Sequence, residues 1–155
     1  MNPRGTGYGM GITAEIVAER YKVSRAEQDQ FAFESHQRAI KAQQENLFNT
    51  DYEIAPMKVL TRQPDLKNQV VKTIENLVSQ DEGPRADTSL EKLAKLKPAF
   101  MNGGSVTAGN SSQMSDGAAM VVLVSEAYLE KNKIKPLAKM LGYSVKGVPA
   151  EVMGI

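Results

Sequence analysis

The sequence predicts an α/β chain in two unequal parts. Capping signals and polar loops fill the first hundred residues, whereas the last fifty-five read β–α–β. A further signal lies just past that junction. The polar cluster AGNSSQMSDG at 108–117 runs directly into AAMVVLV at 118–124. Seven apolar residues without alternation suit a strand covered on both faces. So many hydroxyl and amide side chains at the mouth of a buried strand call for a structural or a binding explanation.

Taken in order, the first eleven residues read as a loop with glycine at 5, 7, 9 and 11. The spacing is not G-x-G-x-x-G, since its last position falls on Met10 or Ile12, and no strand precedes it. These glycines read as turn or close-approach positions. Thr13 is expected to cap a helix through about Tyr21, with Ile12, Ile16 and Val17 on its apolar side. SRAE at 24–27 fits the capping box and opens a helix to about Glu45. Phe31, Ser35, Ala39 and Ala32, His36, Ile40 form adjacent i, i+4 rows. His36 thus lies beside an apolar face and reads as a hydrogen-bonded structural histidine rather than a catalytic one.

YEIAPMKVL at 52–60 reads as a short strand interrupted by Pro56. Residues 61–87 read as a loop excursion, in which VVKTIENLV adds a strand or part of a helix. TSLE at 88–91 is a second capping box, and its helix stops before Pro98. Leu90, Leu93, Ala94 and Leu96 form its apolar side, and its lysines a solvated face. Residues 105–108 and 118–124 are strand candidates. Ser125 is expected to cap a short helix through about Lys131. Another strand follows at 136–145, and GVPAEVMGI ends the chain as an open loop.

A length of 155 residues suits one ordinary domain. With 41% hydrophobic and 24% charged residues the composition is globular. A net charge of +1 gives no argument for nucleic acid or an anionic membrane. The absence of cysteine excludes disulfides, thiolate-bound zinc and a cysteine nucleophile within these residues. One histidine argues against a His-rich metal site, so no metal is expected. MNPRGTGYGMG lacks the apolar stretch of a signal peptide. No apolar run approaches the ~20 residues that span a bilayer. The expectation is a soluble, cytoplasmic protein with no membrane span.

Three stretches carry a resemblance to a known family: MGITAEIVAERYKVSRAEQDQFAFESHQRA at 10–39, DEGPRADTSLEKLAKLKPAF at 81–100 and VTAGNSSQMSDGAAMVVLVSE at 106–126. In order and spacing they resemble the thiolases. The third resembles that family's asparagine–serine–aspartate–glycine motif closely. The resemblance implies an α/β thiolase fold, here the helical loop domain plus part of the layered α/β core. Residues 1–100 would be the CoA-binding loop domain, 101–135 the end of the N-terminal half and 136–155 the start of the C-terminal half. The implied activity is acyl transfer between a 3-oxoacyl-CoA and CoA in fatty acid metabolism, by an acetyl-CoA acyltransferase. Coenzyme A and acyl-CoA would be substrates, with no tightly bound cofactor. The complete enzyme would be a homo-oligomer.

Thiolases use a cysteine that takes the acyl group and a second cysteine and a histidine that handle protons. Those residues have no counterpart here: the motifs would lie before Met1 and after Ile155, and family chains are more than twice this length. The chain is therefore expected to be an internal fragment, inactive by itself. Ser112 matches a serine that hydrogen-bonds the pantetheine amide, and Ala108 and Met114 match positions lining the pantetheine channel. Arg85 matches an arginine near the adenine end of CoA. Ala99 and Phe100 match a wall beside the cofactor, and Met10 a residue at the acyl end. Asn110, Ser115 and Asp116 read instead as turn-stabilising. Two positions depart from the pattern. Gly9 stands where biosynthetic members often carry histidine, which favours the degradative branch. Lys92 stands where some members use a serine against CoA, and a lysine there can pair with a phosphate. Two alternatives remain: a short-chain acetoacetyl-CoA thiolase (acetyl-CoA acetyltransferase), and a non-catalytic thiolase-like CoA- or lipid-binding protein.

Overall fold

A computed structural model describes residues 7–48 and 52–155; the expected glycine turn at Gly5 lies outside them. Helix α1 spans Met10–Tyr21, with extended Gly9 as its N-cap. It starts one turn earlier than Thr13 suggested. The Thr13 amide already bonds to the Gly9 carbonyl (3.1 Å), so Thr13 is helical, and its hydroxyl turns back to the Met10 carbonyl (2.8 Å). Helix α2 spans Arg25–Gln44 and opens with the expected capping box. The Glu27 amide donates to Ser24 Oγ, while the Glu27 carboxylate accepts from the Ser24 amide (2.7 Å). The Ser24 hydroxyl, which also donates to that carboxylate (2.7 Å), and then the Ser24 amide hold the Glu27 carboxyl below its usual range.

The stretch read as mostly loop contains a hairpin. Strands β1 (Met57–Asp65) and β2 (Val70–Val78) pair antiparallel, with Met57 opposite Val78 and Asp65 opposite Val70. Pro64 is tolerated because a two-stranded sheet has only edge strands. The turn is stabilised by Asp65, which accepts from the amides of Lys67 and Asn68 and from Asn68 Nδ2. Lys72 Nζ pairs with it at 2.7 Å. Among the described elements the hairpin packs only on itself.

Helix α3 is short, Leu90–Ala94, and its cap is Ser89 rather than Thr88. The Thr88 amide is taken by the Arg85 carbonyl in a preceding turn, so the helix frame starts one residue later. Helix α4, Glu126–Asn132, is capped by Ser125 as expected. The chain end is not an open loop. Ala150–Val152 forms a 3-10 turn that packs on α1, Val152 is buried, and Glu151 pairs with Arg20 (3.6 Å).

The three strand candidates in the second part do not pair. Residues 105–108, 118–124 and 136–145 carry no regular structure. Met120, Val121, Val122 and Leu123 are 76–91% exposed. A strand needs partners on its edges and cover on its faces, and no described segment supplies either to 118–124. Its pattern reads as buried, but nothing here buries it. What is buried instead is small and largely polar: Leu93, Val106 and Val152, with Thr13, Glu15, Asp29 and Thr107.

Two expectations follow. The Asp65 carboxyl is lowered from 3.8 to about 2, first by the bond from Lys72 and then by those from Asn68. Because the folded value lies below the unfolded one, its stabilisation of the turn is full above about pH 4 and is lost as pH falls through about 2. An NMR acid titration of the Asn68 amide should show this step, and Asp65→Asn should abolish it. The amides of 118–124 should exchange without protection in a dilute sample, and light scattering should show association as concentration rises. A monomer with strong protection there would mean that this segment is covered after all.

Candidate functional site

The site is built on a loop, residues 104–112, that joins the three N-terminal helices. Its first anchor is Glu15, 3% exposed on α1. The Glu15 carboxylate accepts from the Ser105 amide (2.8 Å), the Val106 amide (2.8 Å) and the Ser105 hydroxyl (3.1 Å). A buried carboxylate is tolerated only when such donors replace its water. Gly104 makes room for it, since a Cβ there would collide with the Glu15 carboxylate.

The second anchor is Asp29 on α2, also buried. Arg25 Nε donates to its Oδ2 at 2.8 Å, and Asn110 Nδ2 to its Oδ1 at 3.0 Å. Asn110 is otherwise used up within the loop. Its Oδ1 accepts from the Thr107 amide (2.7 Å), and its Nδ2 also reaches the Ser105 carbonyl (3.1 Å). Arg25 Nη2 continues to the Leu93 (2.6 Å) and Leu96 (3.1 Å) carbonyls at the end of α3. The Leu93 carbonyl also accepts from the Leu96 amide (3.0 Å), so the guanidinium closes the turn that follows the helix. Gln28 Nε2 adds a bond to Ser105 Oγ (2.9 Å). Gly109 admits α3 closely, because a Cβ there would stand 2.5 Å from Leu96 and 2.6 Å from Leu93.

This network divides the loop's hydroxyls. Ser105 donates to Glu15, Thr107 Oγ1 accepts from the Gly109 amide, and Ser111 donates to the Thr107 carbonyl at 2.6 Å. Ser112 is exposed and makes only a 3.3 Å contact with the neighbouring Gln113 carbonyl. Asn110 takes the turn-stabilising part expected of it. Ser115 and Asp116 do not, having no hydrogen bond among the described residues.

The matched positions fall around this loop in two groups. The Ala99 amide donates to the Val106 carbonyl (2.9 Å), which ties Ala99 and Phe100 to the strip leading to Ala108. The Phe100 ring lies directly on Gly11, beside Met10, so a Cβ at Gly11 would enter the ring. That is the close approach expected of one of the N-terminal glycines. In the second group, a Cβ on Gly83 would stand 2.8 Å from Gln113 Nε2, which brings the segment before Arg85 against the residue after Ser112. The Arg85 amide donates to His36 Nδ1 (3.1 Å), so the single histidine has the structural role expected of it. The Arg85 side chain is exposed and shares Asp87 with Lys92. Met114 stands apart, fully exposed.

A cavity of about 290 Å³ opens beside this loop, between Met10, Ala14, Val17, Val23, Gln28 and Val106. It takes in Met10 but neither Arg85 nor Ser112. A wider hollow of about 420 Å³ at the hairpin tip is lined only by side chains of the hairpin itself, Gln63 to Lys72. No group of three potential metal ligands forms among the described residues, and none of the helices there is long and apolar enough to cross a membrane.

Sequence reading missed Glu15, Gln28 and Asp29. The i, i+4 spacing of Arg25 and Asp29 was a visible signal for that pair. Glu15 had none, because its partners lie ninety residues further along the chain. Glu15→Ala should destabilise the chain by about 3 kcal/mol, since it strands the buried amide of Val106 and the part-buried amide of Ser105. Glu19→Ala, on the same helix but exposed, should change stability by less than about 0.5 kcal/mol. Urea denaturation of the two variants checks this.

Comparison with known proteins agrees with this architecture. The chain is 45% identical over 148 residues to a Staphylococcus epidermidis protein named "Probable acetyl-CoA acyltransferase", covering 96% of this chain and 35% of that one. It is 47% identical over 146 residues to the peroxisomal 3-ketoacyl-CoA thiolase B of Rattus norvegicus, covering 94% and 33%. The structure superposes on the acetyl-CoA acetyltransferase of Bacillus anthracis with a TM-score of 0.78 at 43% identity, covering 98% of this chain and 35% of that one. The chain thus spans about a third of the length of the relatives it matches. A family model described as "Thiolase, N-terminal domain" matches residues 2–127, so the chain belongs to the thiolase family, with a partial thiolase α/β fold.

Proposed function

We propose that this chain supplies the CoA-binding region of a thiolase-type acyltransferase that moves an acyl group between a 3-oxoacyl-CoA and CoA. The observation that carries this reading is the division of hydroxyls in the 104–112 loop. Ser105, Thr107 and Ser111 are committed to the fold, whereas Ser112 is exposed on a loop anchored by two buried carboxylates. A hydroxyl presented in that way can satisfy an amide of the pantetheine arm, and small Ala108 beside it lets a thin chain approach the backbone. Arg85 is suited to the nucleotide end, since a guanidinium stacks on adenine and stays charged near phosphates. Met10, Ala99 and Phe100 would form the wall beside the acyl and pantetheine portions, with Met114 at the channel edge.

These 155 residues contain no cysteine. Their part is binding, and the thiolate chemistry that forms the acyl-enzyme belongs to other residues of the complete enzyme. In this reading residues 1–100 act as the loop domain, 101–135 end the N-terminal half and 136–155 begin the C-terminal half. A cytoplasmic location and a homo-oligomeric complete enzyme go with the same reading. The similarity to an acetyl-CoA acetyltransferase keeps a short-chain substrate as the second reading.

Calorimetric titration of the chain with CoA tests the proposal. Arg85→Ala should weaken binding, and Ser112→Ala should cost about 0.5–1.5 kcal/mol, the net value of one neutral hydrogen bond. The chain alone should not cleave acetoacetyl-CoA. Unchanged affinity in both variants, or turnover that survives removal of contaminating enzyme, would overturn the assignment.

A further inference from the structure

We propose that Asn102 is a site of spontaneous deamidation, and that the isoaspartate formed there unfastens the central loop from Glu15. Asn102–Gly103 is the one Asn-Gly pair in the sequence. The nucleophile in this reaction is the amide nitrogen of the following residue, and glycine has no side chain to shield it. The structure leaves both reacting groups open. The Gly104 amide closes a turn on the Met101 carbonyl (3.1 Å), with Asn102 and Gly103 at its centre. Gly103 has a φ of +72°, which fits the second central position of a type II turn, where the amide takes no part in the closing bond. Both residues are exposed. Among the described residues, neither the Asn102 side chain nor the Gly103 amide has a hydrogen-bond partner. Asn110 provides the contrast, since it too precedes a small residue, Ser111. Its Oδ1 accepts from the Thr107 amide and its Nδ2 donates to Asp29 and the Ser105 carbonyl, so its side chain is not free to turn.

The reaction needs only water. The Gly103 nitrogen passes its proton to hydroxide and forms a bond to Asn102 Cγ. The bond from Cγ to the side-chain nitrogen breaks, and ammonia leaves with a proton taken from solvent. Water then opens the cyclic imide. Breaking the bond from the ring nitrogen to Cγ gives aspartate. Breaking the bond from that nitrogen to the main-chain carbonyl carbon gives isoaspartate, in which the backbone runs through the side chain and gains a methylene. Nothing is oxidised or reduced.

That methylene falls inside a closed segment. The Ala99 amide is tied to the Val106 carbonyl (2.9 Å), and the Met101–Gly104 bond closes the turn between them. The added length is therefore absorbed at Gly104 and Ser105. There is little slack there. The Ser105 and Val106 amides and the Ser105 hydroxyl hold Glu15, and Gly104 lies directly on its carboxylate. Shifting this strip draws donors away from a buried acid that has no water to replace them.

None of this depends on CoA binding. The test ages the whole chain in mildly alkaline buffer at physiological temperature beside two variants. Asn102→Gln would have to close a larger ring, which forms far more slowly. Asn102→Asp carries the charge without the added methylene. Both changes lie in an exposed turn and should leave the fold intact. Peptide mapping by mass spectrometry should show amide-to-acid conversion at residue 102 of the wild type well before any at Asn110, and none at residue 102 of Asn102→Gln. The isoaspartyl form, separated by ion exchange, should exchange its Ser105 and Val106 amide hydrogens about tenfold faster, since each loses a bond to a charged group. Asn102→Asp should exchange them as the wild type does. Conversion at residue 102 no faster than at Asn110 would overturn the site. Unchanged exchange in the isoaspartyl form, or exchange equally fast in Asn102→Asp, would overturn the unfastening.

Discussion

The buried carboxylate of Glu15 is the interaction on which the rest depends. It accepts two backbone amides and one hydroxyl from residues 105 and 106, and thereby fastens the central loop to α1. An acid with so little exposure to water is stable only while those donors stay in place. The coupling runs both ways: the loop positions the acid, and the acid holds the loop. Asp29 repeats the device from α2 through Asn110, and Arg25 extends it to the carbonyls of Leu93 in α3 and Leu96 just after it. Few apolar side chains are buried here, so directional bonds do much of what a larger apolar core does elsewhere.

This arrangement accounts for the polar cluster at the mouth of an apolar stretch. Two of its polar side chains are structural: Asn110 meets the buried Asp29 and Ser111 the Thr107 carbonyl. Once these are satisfied, Ser112 is left outward with a nearly unused hydroxyl. A loop tied at several points loses little further freedom when a ligand arrives, so a single hydroxyl on it can recognise an amide efficiently. The glycines serve the same end. Gly104 and Gly109 admit Glu15 and α3 at distances that a side chain would forbid, and Gly11 lets the Phe100 ring lie on the backbone beside Met10.

The 118–124 segment shows the opposite situation. Its composition fits a buried central strand, yet its side chains stand in solvent. Local propensity selects an extended chain, but only neighbouring strands and covering helices make it a sheet. The hairpin differs because only four residues, 66–69, separate its strands and its turn is held by Asp65 with Lys72. The pairing it needs is local, and it forms without the rest of the core.

Local chemistry determined what the sequence by itself revealed. The Ser24 capping box, the Ser125 cap and the extents of α2 and α4 depend on contacts within four residues, and each was legible from residue type and spacing. So were the α/β class and the thiolase resemblance, which rest on ordered motifs rather than on contacts. Local signals failed where two readings competed over one or two residues. Gly9 rather than Thr13 opens α1, Ser89 rather than Thr88 caps α3, and 70–78 is a strand only because 57–65 lies beside it. Only tertiary structure decided that Glu15 and Asp29 are buried, that Asn110 joins a loop to a helix, and that Ser112 is the one hydroxyl of the 104–112 loop not committed to the fold. Those outcomes depend on atoms eighty to ninety residues apart in the chain, and no spacing rule along a sequence encodes which distant donor will reach a buried charge.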